Sequence, residues 1–351
     1  MSAQLSGQTA EHAADKRPQQ AAEPAADSRR RPPLIAVVTL LTALLTVLLI
    51  AFAWPAARSQ PRDVPLAVAG PAPAVAQVKA GLERAMPGGF ELTAVPDRTA
   101  AVQRIENRDA YGAIVLDPQQ PEVLTASAGG PAVAQILTQL STRLSPDNPP
   151  KVTDVVPLPK DDPRGAGLAA GALPLVLGGI MAAGLLTQLV RSGSKRMIGA
   201  ITFATTGGLA LAAVLQFWLG SFEGSYLGNA GVIAMSIAAI SLTLLGLEWL
   251  LGTAGLVLGA AVMMLLGNPL SGLSSAPEML PSGWGALGQL LPPGAAGTAL
   301  RSVSFFDGAG AGRPLVVLAC WLLAGLVLCG LGALRTQRVV HPRHEAKPLT
   351  V

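Results

Sequence analysis

Nucleophilic and metal chemistry needs histidine, cysteine or clustered carboxylates, and this chain keeps them apart. Its three histidines, His12, His341 and His344, all sit in polar tails, and its two cysteines are Cys320 and Cys329. Nine residues apart on one helix, the cysteines face opposite sides and cannot pair, so no disulfide framework exists. Residues 55–167 contain neither histidine nor cysteine, which argues against a zinc site or a Cys/His nucleophile there. Histidine confined to the tails also excludes a Ser-His membrane protease. No Gly-x-x-x-x-Gly-Lys-Ser/Thr loop occurs, so the chain hydrolyses no nucleotide by that route. The expectation is a non-enzymatic protein without a cofactor or a metal.

Few polar residues interrupt the apolar stretches. Proton-coupled carriers need ionisable groups at membrane depth, and Glu248 is the one candidate. It is expected in a turn between two spans, within reach of water, either as a bland turn residue or as a contact to a partner or gate. Gln188 and Gln216, near span ends, read as interhelical glue. Gly178-Gly179 and Gly207-Gly208 permit close helix approach, and a dimer seam is one use of it.

The elements that carry these residues follow from composition. Half of the 351 residues are hydrophobic and 13% are charged, about half the charge usual in a soluble protein, and mean hydropathy is +0.47. The class is an α-helical polytopic membrane protein. The net charge of +4 calls for no nucleic-acid partner. Residues 1–33 hold almost no large apolar side chains and read as a disordered cytoplasmic tail. Residues 34–54 are uncharged and long enough to span. Ala51-Phe52-Ala53 resembles a signal-peptide cleavage site, but the apolar run exceeds a typical signal core.

Residues 55–167 restore charge, with eleven basic and twelve acidic residues. Strand-like runs (66–70, 90–95, 111–116, 122–127, 151–156) alternate with helical patterns (72–86, 98–108, 131–144). This predicts a small α/β domain. Five further spans are expected at about 168–190, 197–220, 230–247, 250–267 and 314–334, the fourth and fifth separated around Gly246–Gly252. Residues 336–351 form a second tail. Lys and Arg number five in the leader, three in 191–196 and four from Arg335 to the end of the tail. The positive-inside rule then puts both termini in the cytoplasm and residues 55–167 outside.

The segment 267–306, GNPLSGLSSAPEMLPSGWGALGQLLPPGAAGTALRSVSFF, holds seven glycines, five prolines and two charges, Glu278 and Arg301. Non-helical backbone in a bilayer needs cover from protein or a water cavity. Short helices at 284–291 and 295–303, joined by a corner at Leu291-Pro292-Pro293-Gly294, predict a re-entrant element closing an outer mouth. Its gate residues are Trp284, Pro292, Pro293 and Arg301. Trp284 and Phe305-Phe306 are expected at headgroup depth. Arg301 is expected to anchor the second piece at the headgroup surface, with a lipid phosphate or substrate headgroup as its sharper role. A surface-lying linker is the plainer reading of the segment.

That stretch, with LAVAG, FELTAV, DRTAAVQRIENRDAYGAIVLDP and PEVLTASAG, resembles the ABC transporter type-2 permease family, in the phage-infection-protein-like branch with a large extracytoplasmic domain. The resemblance covers residues 34–335. It implies a permease subunit of an ATP-driven exporter in a bacterial plasma membrane, moving a hydrophobic or amphipathic cargo. It also implies a cytoplasmic ATP-binding subunit and a homodimer or heterodimer with a second permease. The loop 191–197, with Arg191, Lys195 and Arg196, would match the ATPase coupling loop. The family's amphipathic helix before the first span is absent from residues 1–33. The competing expectation is a non-transporting envelope protein whose outer domain binds a ligand, a protein or a phage.

Overall fold

The computed structural model describes residues 33–117, 119–144 and 150–340, with side chains for all of these except 143, 144 and 336–340. Of the expected tails, 1–33 and 336–351, residues 1–32 and 341–351 lie outside the described residues, and residues 336–340 continue the last helix, Gly312–Val340, instead of beginning a tail. The chain is mostly helical. Among the described residues five helices are long and apolar enough to cross a membrane: Leu34–Ala57, Ala166–Leu189, Gly193–Trp218, Tyr226–Leu251 and Gly312–Arg335. This is the pattern of a multi-pass helical membrane protein. A sixth apolar helix, Thr253–Gly267, is shorter.

The first of these helices, α1 (Leu34–Ala57), keeps its apolar side chains exposed, as lipid-facing helices do. The chain then builds a sheet from β1 (Val64–Ala69), β2 (Phe90–Val95), β3 (Gly112–Val115), β4 (Glu122–Thr125) and β5 (Lys151–Asp154), in the order β2-β1-β3-β4-β5. Neighbours are parallel except for β3 and β4. The parallel connections carry α2 (Ala72–Ala85), α3 (Arg98–Glu106) and α4 (Pro131–Leu144), as crossovers require. Central β1 reads VPLAVA and is buried along almost its whole length, as a strand covered on both faces must be. One face packs Ala67 against Ala101, Ile105 and Phe306. The other packs Val64 and Leu66 against Val133, Leu137, Ala276 and Met279. Residues from the Gly/Pro-rich segment therefore complete both faces.

The bundle is α5 (Ala166–Leu189), α6 (Gly193–Ala213), α7 (Tyr226–Leu251), α8 (Thr253–Val262), α9 (Trp284–Gln289), α10 (Pro292–Phe305) and α11 (Gly312–Val340). Helices α6 and α8 end in π turns, Val214–Trp218 and Met263–Gly267. Helix α7 is the axis. It is apolar all round and mostly buried, and it packs on α5, α6, α10 and α11. Small residues let its neighbours approach. A Cβ on Gly208 would lie 2.7 Å from the Ala230 carbonyl oxygen, and one on Gly179 would lie 2.7 Å from Ile240 Cγ2. One glycine of each expected pair thus serves packing within the chain.

Three boundaries differ from the sequence reading. Helix α7 runs through Glu248 and Trp249, and the break falls at Gly252, in the left-handed region at φ 69°. The basic stretch is not a loop of six or seven residues. The connection covers only residues 190–192, and Lys195 and Arg196 belong to the start of α6. Pro292 and Pro293 do not form a corner between helices. They are the first turn of α10, where fixed φ favours helix and no N–H is missed. The turn lies one residue earlier, at extended Leu291.

Candidate functional site

Two ends of the bundle gather the charged side chains. At the sheet end, Asp97 caps α3 by accepting from the Ala100 amide at 2.8 Å. The helix closes with Arg108 in the left-handed region, φ 62°. Residues other than glycine rarely adopt it, and such conformations persist where surrounding contacts enforce them. The bend directs Arg108 to α10, where Nη1 donates to the Thr298 carbonyl (3.0 Å) and to Ser302 Oγ (2.6 Å). The guanidinium also lies 5.3 Å from the Phe306 ring centroid, a cation–π contact.

Three residues on, the Tyr111 hydroxyl donates to Glu278 Oε2 at 2.7 Å. Burial first, and the Glu278 charge second, push the Tyr111 phenol far above its usual range, so it stays a donor. Burial also lowers Arg108. The backbone of Gln60 and Arg62 pairs with Met279 and Glu278, and Arg62 Nη1 donates to the Leu280 carbonyl at 2.8 Å. Around these groups lie two adjoining hollows of about 230 Å³ and 300 Å³. They share Glu278, Gln289 and Arg313 on their walls.

Arg301 is not at a headgroup surface. It is 3% exposed, on a face of α10 that points into the protein. Its Nη2 donates to the Leu273 carbonyl at 3.0 Å, while Nε has no partner. Among the described residues no carboxylate pairs with it. Burial, reinforced by the Arg108 charge, pushes its pKa down to about 10, so it is still cationic at neutral pH. Of the other expected gate residues, the two prolines are packed inside and Trp284 is half-buried. Pro292 and Pro293 are buried, and Trp284 meets Trp54 edge-on at 5.6 Å. Phe306 lies in the sheet core.

At the opposite end, Arg196 Nη1 pairs with Glu248 Oε2 at 3.2 Å. Its other nitrogens donate to the Val190 carbonyl (2.6 Å) and the Thr187 carbonyl (2.9 Å). Glu248 is therefore in the last turn of α7, ion-paired and half-buried, and not in a solvated turn. Arg196 is an internal tie, while Arg191 and Lys195 stay exposed. These residues, except Lys195, border an open cavity of about 680 Å³ with Trp249 and Cys329. Arg335 donates to the Leu250 carbonyl at 2.8 Å, joining α11 to the same end. Gln216 donates to the Gly224 carbonyl and accepts from Asn229, which accepts from Ser304. This amide does bind elements together, as expected.

The sequence reading missed Arg108, Tyr111 and Arg313 as site residues and Glu278 as the partner of Tyr111. The one signal was rarity: Tyr111 is one of two tyrosines, and Glu278 one of two charges in residues 267–306. Among the described residues no group of three or more His, Cys, Asp or Glu side chains could hold a metal ion. In comparison with known proteins, the chain matches no family model and no curated sequence.

Proposed function

We propose that the chain is the permease subunit of an ATP-driven exporter of the ABC type-2 kind, moving hydrophobic or amphipathic cargo. It works with a separate cytoplasmic ATPase and a second permease copy, identical or related. The observation that carries the reading is the opposition of the two ends. One is closed by α9, α10 and the sheet, and the other opens in the cavity beside Arg191 and Arg196. The hollow beneath α10, walled by Leu168, Leu175, Pro293 and Leu300, measures about 10 Å³, room for one water at most, and the larger hollow of about 370 Å³ beside it opens toward α1 at Phe52 and Pro55. Cargo therefore moves between two copies and not through one.

The proposed topology has six crossings, with both termini in the bacterial cytoplasm and residues 55–167 as an extracytoplasmic α/β domain. The fifth crossing is Thr253–Gly267. Its 15 residues span about 22 Å, short of the roughly 30 Å core. Its path supports a crossing, because Gly255 near its start lies against Leu247 and Leu251 at the end of α7, and Gly267 at its own end lies against Pro293. The test is a pulldown of tagged protein from its native membrane, with and without Arg191→Glu/Lys195→Glu. Capture of an ATPase by the parent and its loss in the double variant is the expected result. Capture of extracytoplasmic proteins alone would favour the second reading, an envelope protein that binds a ligand, a protein or a phage. The hollows beside Arg108 favour that reading specifically.

A further inference from the structure

The walls of the two hollows carry Arg62, Arg108 and Arg313 against Asp63, Asp109 and Glu278, but two of these arginines keep donors that the protein does not use. Arg313, in the first turn of α11, is exposed, borders both hollows, and has no ion pair or hydrogen-bond partner among the described residues. Arg108 engages only Nη1, which leaves the rest of its fork at the first hollow. Behind them, Arg301 is buried with an unpartnered Nε. Two carboxylates reach the first hollow, Glu278 and Asp109, and Glu278 already accepts from Tyr111. The floor is apolar, from Ile105, Ala126 and Phe306. The site adjoins the start of a spanning helix, the level at which headgroups meet a bundle.

We propose that this cleft binds the oxyanion, phosphate or carboxylate, of an amphipathic molecule, gripped between Arg108 and Arg313 with Arg301 supplying charge behind it. Planar guanidinium forks match such oxyanions in paired hydrogen bonds. The apolar floor receives the first carbons of the tail. The site concerns binding alone, at the end of the molecule away from Arg191, and it stands or falls separately from export.

The test uses the full chain in dodecyl maltoside, with calorimetric titration of two probes, dihexanoyl phosphatidic acid and inorganic phosphate, and octyl glucoside as the uncharged control. The parent is expected to bind a phosphate-bearing probe at one site and to ignore octyl glucoside. Arg313→Gln is expected to weaken binding by about tenfold or more, the effect of losing one charged hydrogen bond, with an unchanged melting temperature. Arg108→Lys should weaken it similarly, and Arg313→Gln decides the matter if that variant unfolds. Phosphatidic acid binding far above phosphate assigns a lipid-like headgroup, and equal binding assigns a soluble anion. No heat with either probe in the parent, or full affinity in Arg313→Gln, overturns the proposal. No ATPase enters the assay, so the exporter reading can fail while this one stands.

Discussion

Arg196 and Arg301 are both arginines drawn inside the protein, at opposite ends of the bundle, and their company differs. Arg196 has a carboxylate and two carbonyls. Arg301 has one carbonyl and an empty Nε. A buried charge is costly unless paired and hydrogen-bonded. The first arrangement meets that condition internally and reads as a fixed tie between α6 and α7. The second does not: the Arg108 charge works against it, and the Glu278 charge offsets this without pairing with it. The Arg196 end is finished within the chain, while the Arg301 end keeps an unused donor, the feature on which the proposed anion site draws.

That contrast can be broken by substitution. The largest effect belongs to Glu248→Gln, which leaves Arg196 without its carboxylate. Loss of one partner of a buried pair costs about 3 kcal/mol, to be read as a clear fall in melting temperature. No change there would mean that Arg196 depends on carbonyls alone. Next is Tyr111→Phe, which removes the donor to Glu278 and costs about 1–2 kcal/mol. Hydrogen exchange should rise at residues 277–279 more than in α7. Then comes Arg301→Met, which removes a charge without a carboxylate partner. Stability should stay within about 1 kcal/mol of the parent or rise, while anion binding falls. A collapse of the fold would show that Arg301 has a partner in the resting protein.

The smallest effect is acid sensitivity of the sheet. The Arg98 hydrogen bond leads the causes that hold Glu122 below its usual carboxylate range, with Thr153 and Lys151 assisting. The unfolded chain binds this proton at higher pH than the folded one. The pair's contribution is therefore full above about pH 4.3, the ordinary glutamate value, and is lost as pH falls through the lower folded value. Arg98 is half exposed, so screening keeps the effect under about 1 kcal/mol. Acid melting of the parent against Glu122→Gln measures it, and the two curves should converge at low pH.

The strands were legible because each is a short apolar run bounded by turn residues. FELTAV became β2 over the same six residues, 90–95. The spans were legible from hydropathy. The finer points were not, because they depend on partners distant in sequence. Glu248 looks like the residue of a turn until Arg196, 52 positions earlier, supplies its ion pair. Arg301 looks like a headgroup anchor until Arg108, Tyr111 and the sheet are laid over α10. The helical nature of Pro292 and Pro293 was locally available from the preference of proline for first turns. The left-handed Arg108 had no local signal, since that conformation is usually glycine's.

The sheet takes Ala276 and Met279 on one face and Phe306 on the other, and this sets an order of events during synthesis. The last strand ends at Asp154, yet one face stays open until the ribosome has made about 125 more residues, to Met279, and the other until about 150 more, to Phe306, with four more helices threaded in between. At about 5–20 residues per second, the strands wait roughly six to thirty seconds with apolar surface uncovered. Assembly of the membrane part is therefore the last step in folding the sheet, and a truncation before Phe306 would leave its strands without their cover.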